Sequence, residues 1–132
     1  MRVKDLMARD VETCGPWDDL AAAAQSMETN GYGCLPVVDQ AGRAVGMLTD
    51  RDISIAAAAQ HAPLTALRVA GAMRKGVYSC NPEDPPAAAE EIMRARQIRR
   101  APVVAADGRL VGLISMVSLH GRACTGVKRR RK

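Results

Sequence analysis

Residues 46 to 52 read Gly-Met-Leu-Thr-Asp-Arg-Asp, placing a hydroxyl and a carboxylate, Thr49 and Asp52, three positions apart behind a glycine. Two chemistries use that spacing. On the first turn of a helix both groups share one side, and a carboxylate there can accept charge-assisted hydrogen bonds from a bound group. The same residues also spell a capping box, with Thr49 at the N-cap and Asp52 reaching back to it. The stretch recurs 66 residues later as Gly112-Leu113-Ile114-Ser115-Met116-Val117-Ser118, where the hydroxyl is kept and the acid has become Ser118. A cap can therefore be written twice, but chemistry that needs the acid is written once.

Other chemistry is poorly provided for. His61 and His120 are isolated and far in sequence from Asp52, and no nucleophile motif is present, so no enzyme activity is expected. Cys14, Cys34, Cys80 and Cys124 contain no C-x-x-C pair, so no metal site is expected and the thiols read as small buried apolar groups. The N-terminus is no signal peptide and no apolar run is long enough to span a membrane, which predicts a cytoplasmic protein. Net charge is +5, but Lys128, Arg129, Arg130, Arg131 and Lys132 carry it; the remainder has 14 basic and 14 acidic residues. That tail reads as a solvated terminus or as a contact for nucleic acid, and the lack of neighbouring aromatics favours the former.

The elements that must position Thr49 and Asp52 follow from a duplication. Offsetting the chain by 66 residues gives 19 identities in 66 pairs without a gap, including Val3 with Val69, Met7 with Met73, Cys14 with Cys80, Pro36-Val37-Val38 with Pro102-Val103-Val104 and Gly46 with Gly112. Each copy predicts β-α-β-β-α. The first strands are Val11 to Cys14 and Val77 to Cys80, and the helices that follow are capped by Asp18 or Asp19 and by Asp84, with Pro85 at a first helical position. Asn30-Gly31 stops the first of these helices. Two strands joined by Ala-Gly-Arg or Asp-Gly-Arg turns come next, and second helices start at Thr49 and Ser115. Residues 60 to 76 read as connector. The fold class is mixed α/β (α+β), with repeat 1 at residues 1–60, repeat 2 at 61–125 and a basic tail at 126–132 expected to be disordered. One copy cannot cover its own sheet, so the two are expected to pack sheet to sheet about a pseudo-twofold axis, with a crevice between copies near the helix N-termini. Runs of alanine at 21–24, 56–59 and 87–89 predict close helix packing and a homodimer.

The order of elements, the Val3-to-Met7 opening, the apolar-Pro-Val-Val strand and the G-x-x-[ST]-x-x-D ending resemble a tandem pair of CBS domains, the Bateman module, over nearly the whole chain. The resemblance implies a stand-alone regulatory module that binds an adenosine-containing ligand, AMP, ADP, ATP or S-adenosylmethionine, between the repeats and signals to a partner protein. It implies one nucleotide site from Met47, Thr49 and Asp52 with Ser79, Cys80, Ile98, Arg99, Arg100 and Ala101. The hydroxyl would touch phosphate, the acid ribose, and the arginines phosphate. A second, degraded site would join Leu113, Ser115 and Ser118 to Thr13, Cys14, Tyr32, Gly33, Cys34 and Leu35. Here acid and opposing arginines are lost together, and one charged hydrogen bond is worth about 1.5–3 kcal/mol, so a single functional site is expected. The alternatives are a ligand-free interaction scaffold, in which Thr49 and Asp52 merely cap a helix, and nucleic-acid binding through the tail.

Overall fold

The computed structural model describes residues 1–120; the tail at 126–132 and Cys124 lie outside the described residues. The fold is mixed α/β, and its units of packing are offset from the repeats of the sequence. Among the described residues one compact unit is Glu12–Val77, and the other joins Met1–Val11 to residues 78–120.

In the Glu12–Val77 unit, α2 (Leu20–Asn30) starts where the Asp19 carboxylate accepts the Ala22 amide at 2.8 Å, and it ends at Gly31 with φ 72°. Leu20, Ala23 and Met27 recur at helical spacing and form its buried face. Strands β1 (Cys34–Val38) and β2 (Ala44–Thr49) pair antiparallel, with Leu35 opposite Leu48 and Val37 opposite Gly46. Their turn is held by Asp39, whose Oδ1 accepts the amides of Ala41 and Arg43, both at 2.9 Å. Helix α3 (Asp50–Gln60) follows β2 directly. Cys14, Leu35, Val37, Leu48, Ile53 and Val69 close the core with α2.

The region read as connector is structured. It holds a 3-10 turn (Leu64–Ala66), helix α4 (Val69–Ala72) and a two-residue strand β3 (Arg74–Lys75), which pairs antiparallel with β2 and completes a three-stranded sheet. Its counterpart in the other unit is the N-terminus, where α1 (Val3–Leu6) is followed by an isolated antiparallel bridge from Ala8 to Leu113. The two arrangements share their helix-start bonds. The Val69 amide donates to Asp18 O and Ala70 to Pro16 O, as Val3 does to Asp84 O and Lys4 to Pro82 O. Burial of Val3, wholly inaccessible, with Cys80, Met93, Val103 and Ile114 is why the first residues belong with the second repeat.

That second unit contains α5 (Pro86–Arg96), the antiparallel pair β4 (Arg100–Val104) and β5 (Leu110–Ser115), and α6 (Met116–His120). Two expectations need correction. Val11–Cys14 and Val77–Cys80 are not strands; only Cys14 and Cys80 pair, each by one parallel bridge, to Val37 and Val103. Asp84 does not cap α5: Pro85 is the N-cap and Pro86 the first helical residue, while the Asp84 carboxylate accepts the Asn81 amide at 3.0 Å. Pro86 disfavours helical dihedrals at the residue before it, so Pro85 stays extended at ψ 153° and the helix starts one residue later.

Gly46 and Gly112, shared by both copies, have a packing role. A Cβ on Gly46 would lie 2.6 Å from the Arg74 carbonyl oxygen, and one on Gly112 would lie 2.6 Å from Met7 Sδ and 2.8 Å from the Ala8 carbonyl oxygen. Each glycine lets the extra backbone segment lie against its sheet.

Candidate functional site

The end of β2 delivers Thr49 in an extended conformation as N-cap of α3, with Asp52 at the third helical position. Thr49 Oγ1 accepts the Asp52 amide at 3.1 Å and Asp52 Oδ2 accepts the Thr49 amide at 2.9 Å, so the capping box is complete. The second oxygen is also engaged: Arg74 Nε donates to Oδ1 at 3.2 Å. Asp52 is 8% exposed and is the only buried charged side chain among the described residues, whereas the Arg74 side chain is 57% exposed. Arg74 comes from β3, directly opposite Met47, so Met47, Thr49, Asp52 and Arg74 form one constellation.

Arg74 was not among the expected site residues. The signal that could have found it is the 66-residue offset itself, because Asp52 and Arg74 correspond to Ser118 and Ala8. The second copy has thus lost the acid together with a base that touches it inside its own unit. There Ser115 still caps α6, accepting the Ser118 amide at 3.1 Å, and the two hydroxyls lie 3.0 Å apart. A helix start of this kind evidently forms without an acid at the third position.

Of the remaining expected residues, Arg99 is exposed and its carbonyl accepts the Met116 amide at 2.9 Å; Arg100, half-buried, opens β4 opposite Ser115. Ser79 and Ile98 are half-buried, the latter packed on the core. Ala101 and Cys80 are core residues of this unit, and the Cys80 backbone already serves Pro102 O and the Val104 amide. In the degraded set, Cys14, Cys34, Leu35 and Leu113 are buried, Thr13 and Tyr32 are exposed, and Gly33 lies where a Cβ would approach Asp50 Oδ2 to 3.2 Å. Burial, reinforced by the Asp18 carboxylate, pushes the Cys14 thiol up to about 12; burial and Asp84 push Cys80 up to about 11. Both are poor nucleophiles and poor metal ligands at neutral pH. Among the described residues no group of three or more His, Cys, Asp or Glu could hold a metal ion.

Asp52 also borders a cavity of about 290 Å³ within the Glu12–Val77 unit, lined further by Leu20, Ala56, Leu67, Arg68 and Ala72. That volume is near the lower end for small-molecule sites. No helix among the described residues is long and apolar enough to cross a membrane.

Comparison with known proteins gives a consistent answer. The family model described as CBS domain matches residues 3–59 and 69–120. The chain is 37% identical over 117 residues to the CBS domain-containing protein YhcV of Bacillus subtilis, covering 89% of this chain and 81% of that protein. It is 32% identical over 112 residues to hypoxic response protein 1 of Mycobacterium tuberculosis, covering 85% and 78%. Among solved structures, Hypoxic Response Protein I with two coordinated zinc ions has a TM-score of 0.82 at 29% identity, covering 90% of this chain and 96% of that one. CBSX2 in complex with AMP has a TM-score of 0.79 over 97% of this chain and 98% of its own, a likeness of fold at 23% identity. The duplication, the paired units and these matches together establish that the chain belongs to the CBS-domain family and carries two CBS domains in tandem.

Proposed function

We propose that this regulatory module binds an adenosine-containing ligand, of the AMP, ADP or ATP class or S-adenosylmethionine, and reports its occupancy to a partner protein without catalysing a reaction. The recognition groups are Thr49 and Asp52 for phosphate and ribose and Arg99 and Arg100 for phosphate. The observation that carries this reading is the acid kept at Asp52: it is buried at a helix start that Ser115 shows can be capped without it. Burying a carboxylate opposes folding, so retaining one that the cap does not require points to use. A fold of this kind holds AMP in CBSX2, which supports this ligand class. Cytoplasmic residence and a homodimer built through the helical faces belong to the same reading; Ile55 on α3, 55% exposed, offers an apolar contact for a second copy.

A second reading has its own support. Both Asp52 oxygens already have protein partners, so the acid is chemically at rest with no ligand, as an interaction scaffold would require. Thermal melting separates the two. An adenosine ligand at 100 times its Kd contributes about 2.7 kcal/mol, which for a chain of this size raises Tm by roughly 10 °C. Such a shift in the wild type, strongly reduced in Asp52→Asn, supports the binding module. No shift with AMP, ATP or S-adenosylmethionine supports the scaffold.

A further inference from the structure

We infer that Arg74 is an intramolecular competitor for the Asp52 carboxylate, so that ligand ribose and the β3 strand exclude one another at one oxygen. This rests on the proposed function and identifies what the ligand must displace. Of the two groups that hold Asp52, the Thr49 amide is fixed by the helix start, whereas Arg74 Nε at 3.2 Å belongs to a side chain 57% exposed. With Asp52 only 8% exposed, a ribose diol reaches Oδ1 by taking the place of the guanidinium. The exchange is inexpensive, since an ion pair with one solvated partner is weak.

The competitor is attached to a segment easily loosened. β3 has two residues, both exposed, and touches β2 only at Gly46 opposite Lys75 and Met47 opposite Arg74. The chain then runs through Gly76, with φ 76°, to Val77, the last residue of this unit. Releasing Arg74 therefore frees the edge of the sheet at the point where the chain leaves the unit. The other copy has neither partner, having Ser118 and Ala8 in their places. Acid and competitor thus occur together or not at all, as expected of two groups that act on each other.

The test is calorimetric titration of the full chain with AMP and with 2′,3′-dideoxyadenosine monophosphate, in wild type, Arg74→Ala and Arg74→Met. Taking the ratio of the two dissociation constants cancels any effect of Arg74 on the phosphate and isolates the ribose hydroxyls. Removing the competitor is expected to raise the preference for AMP over the dideoxy analogue by about fivefold, the strength of a weak exposed pair. Arg74→Met keeps most of the side-chain bulk without a donor, so it gives the same answer should the alanine variant fold poorly. An unchanged or reduced preference while the wild type binds AMP overturns the competition and leaves the binding module intact. No binding of AMP by the wild type overturns both.

Discussion

Alanine at Gly112, and separately at Gly46, tests how the shared glycine of each repeat earns its place. At Gly112 the added methyl would meet Met7 Sδ at 2.6 Å, the Ala8 carbonyl oxygen at 2.8 Å and Met7 Cγ at 2.9 Å. Met7 can swing away, but the carbonyl belongs to backbone bonded to the sheet in both directions, with Ala8 N to Leu113 O at 2.8 Å and Leu113 N to Ala8 O at 2.9 Å. Overpacking of this kind costs about 1–3 kcal/mol. Removing the extra freedom of glycine in a strand returns about 0.5–1 kcal/mol. The net loss for Gly112→Ala is therefore about 1–2 kcal/mol, which moves a urea midpoint down by about 1 M. Amide exchange should quicken at Ala8, because the N-terminal segment is pushed off the sheet. Gly46→Ala meets the Arg74 carbonyl oxygen at 2.6 Å, nearer than the Ala8 carbonyl lies to Gly112, so its cost should be at least as large, and it should weaken the Arg74–Asp52 contact. Wild-type stability in Gly112→Ala, with Ala8 still protected, would refute the packing explanation.

Deleting residues 1–11 should raise amide exchange throughout β4 and β5, because Val3, Leu6 and Met7 pack into that core rather than that of the repeat they precede. Equal exchange in β4 and β1 would contradict the offset between repeats and units. His61 and Gln97 end α3 and α5 with φ of 52° and 56°, where a side chain is strained, so glycine at either should stabilise the chain by about 0.5–1 kcal/mol in denaturant titrations. Cys14 and Cys80 should resist a thiol reagent at pH 8 until the protein is unfolded. Their folded pKa values, about 12 and 11, lie above the ordinary 9.0, so their contribution to stability is complete below pH 9 and declines above it as the unfolded thiols ionise first. Stability that rises from pH 9 to 11 would contradict that burial.

The parts of the fold legible in the sequence are those fixed by local chemistry and repeated. Gly42 and Gly108, with φ of 84° and 91°, end matching turns, and Gly31 stops α2 where its left-handed conformation requires. Thr49 and Ser115 mark two helix starts for the same reason. What escaped were features set by distant partners. β3 is two exposed basic residues with no apolar pattern, and it exists as a strand only because Gly46 admits it. Val11–Cys14 has strand composition, yet the Gly15 amide turns to the Asp18 carboxylate at 2.9 Å and leaves Cys14 alone in register. The candidate site was half legible for the same reason. Thr49 and Asp52 are neighbours in sequence, whereas Arg74 lies 22 residues away in a stretch that looked like linker.

The central claim is that a retained acid recognises ribose, and titration of AMP into wild type and Asp52→Asn by calorimetry tests it most directly. Loss of a charge-assisted hydrogen bond predicts affinity falling tenfold to a hundredfold, about 1.5–3 kcal/mol, in a variant that still folds. Equal affinity in the two proteins, or no heat of binding in either, would contradict the account.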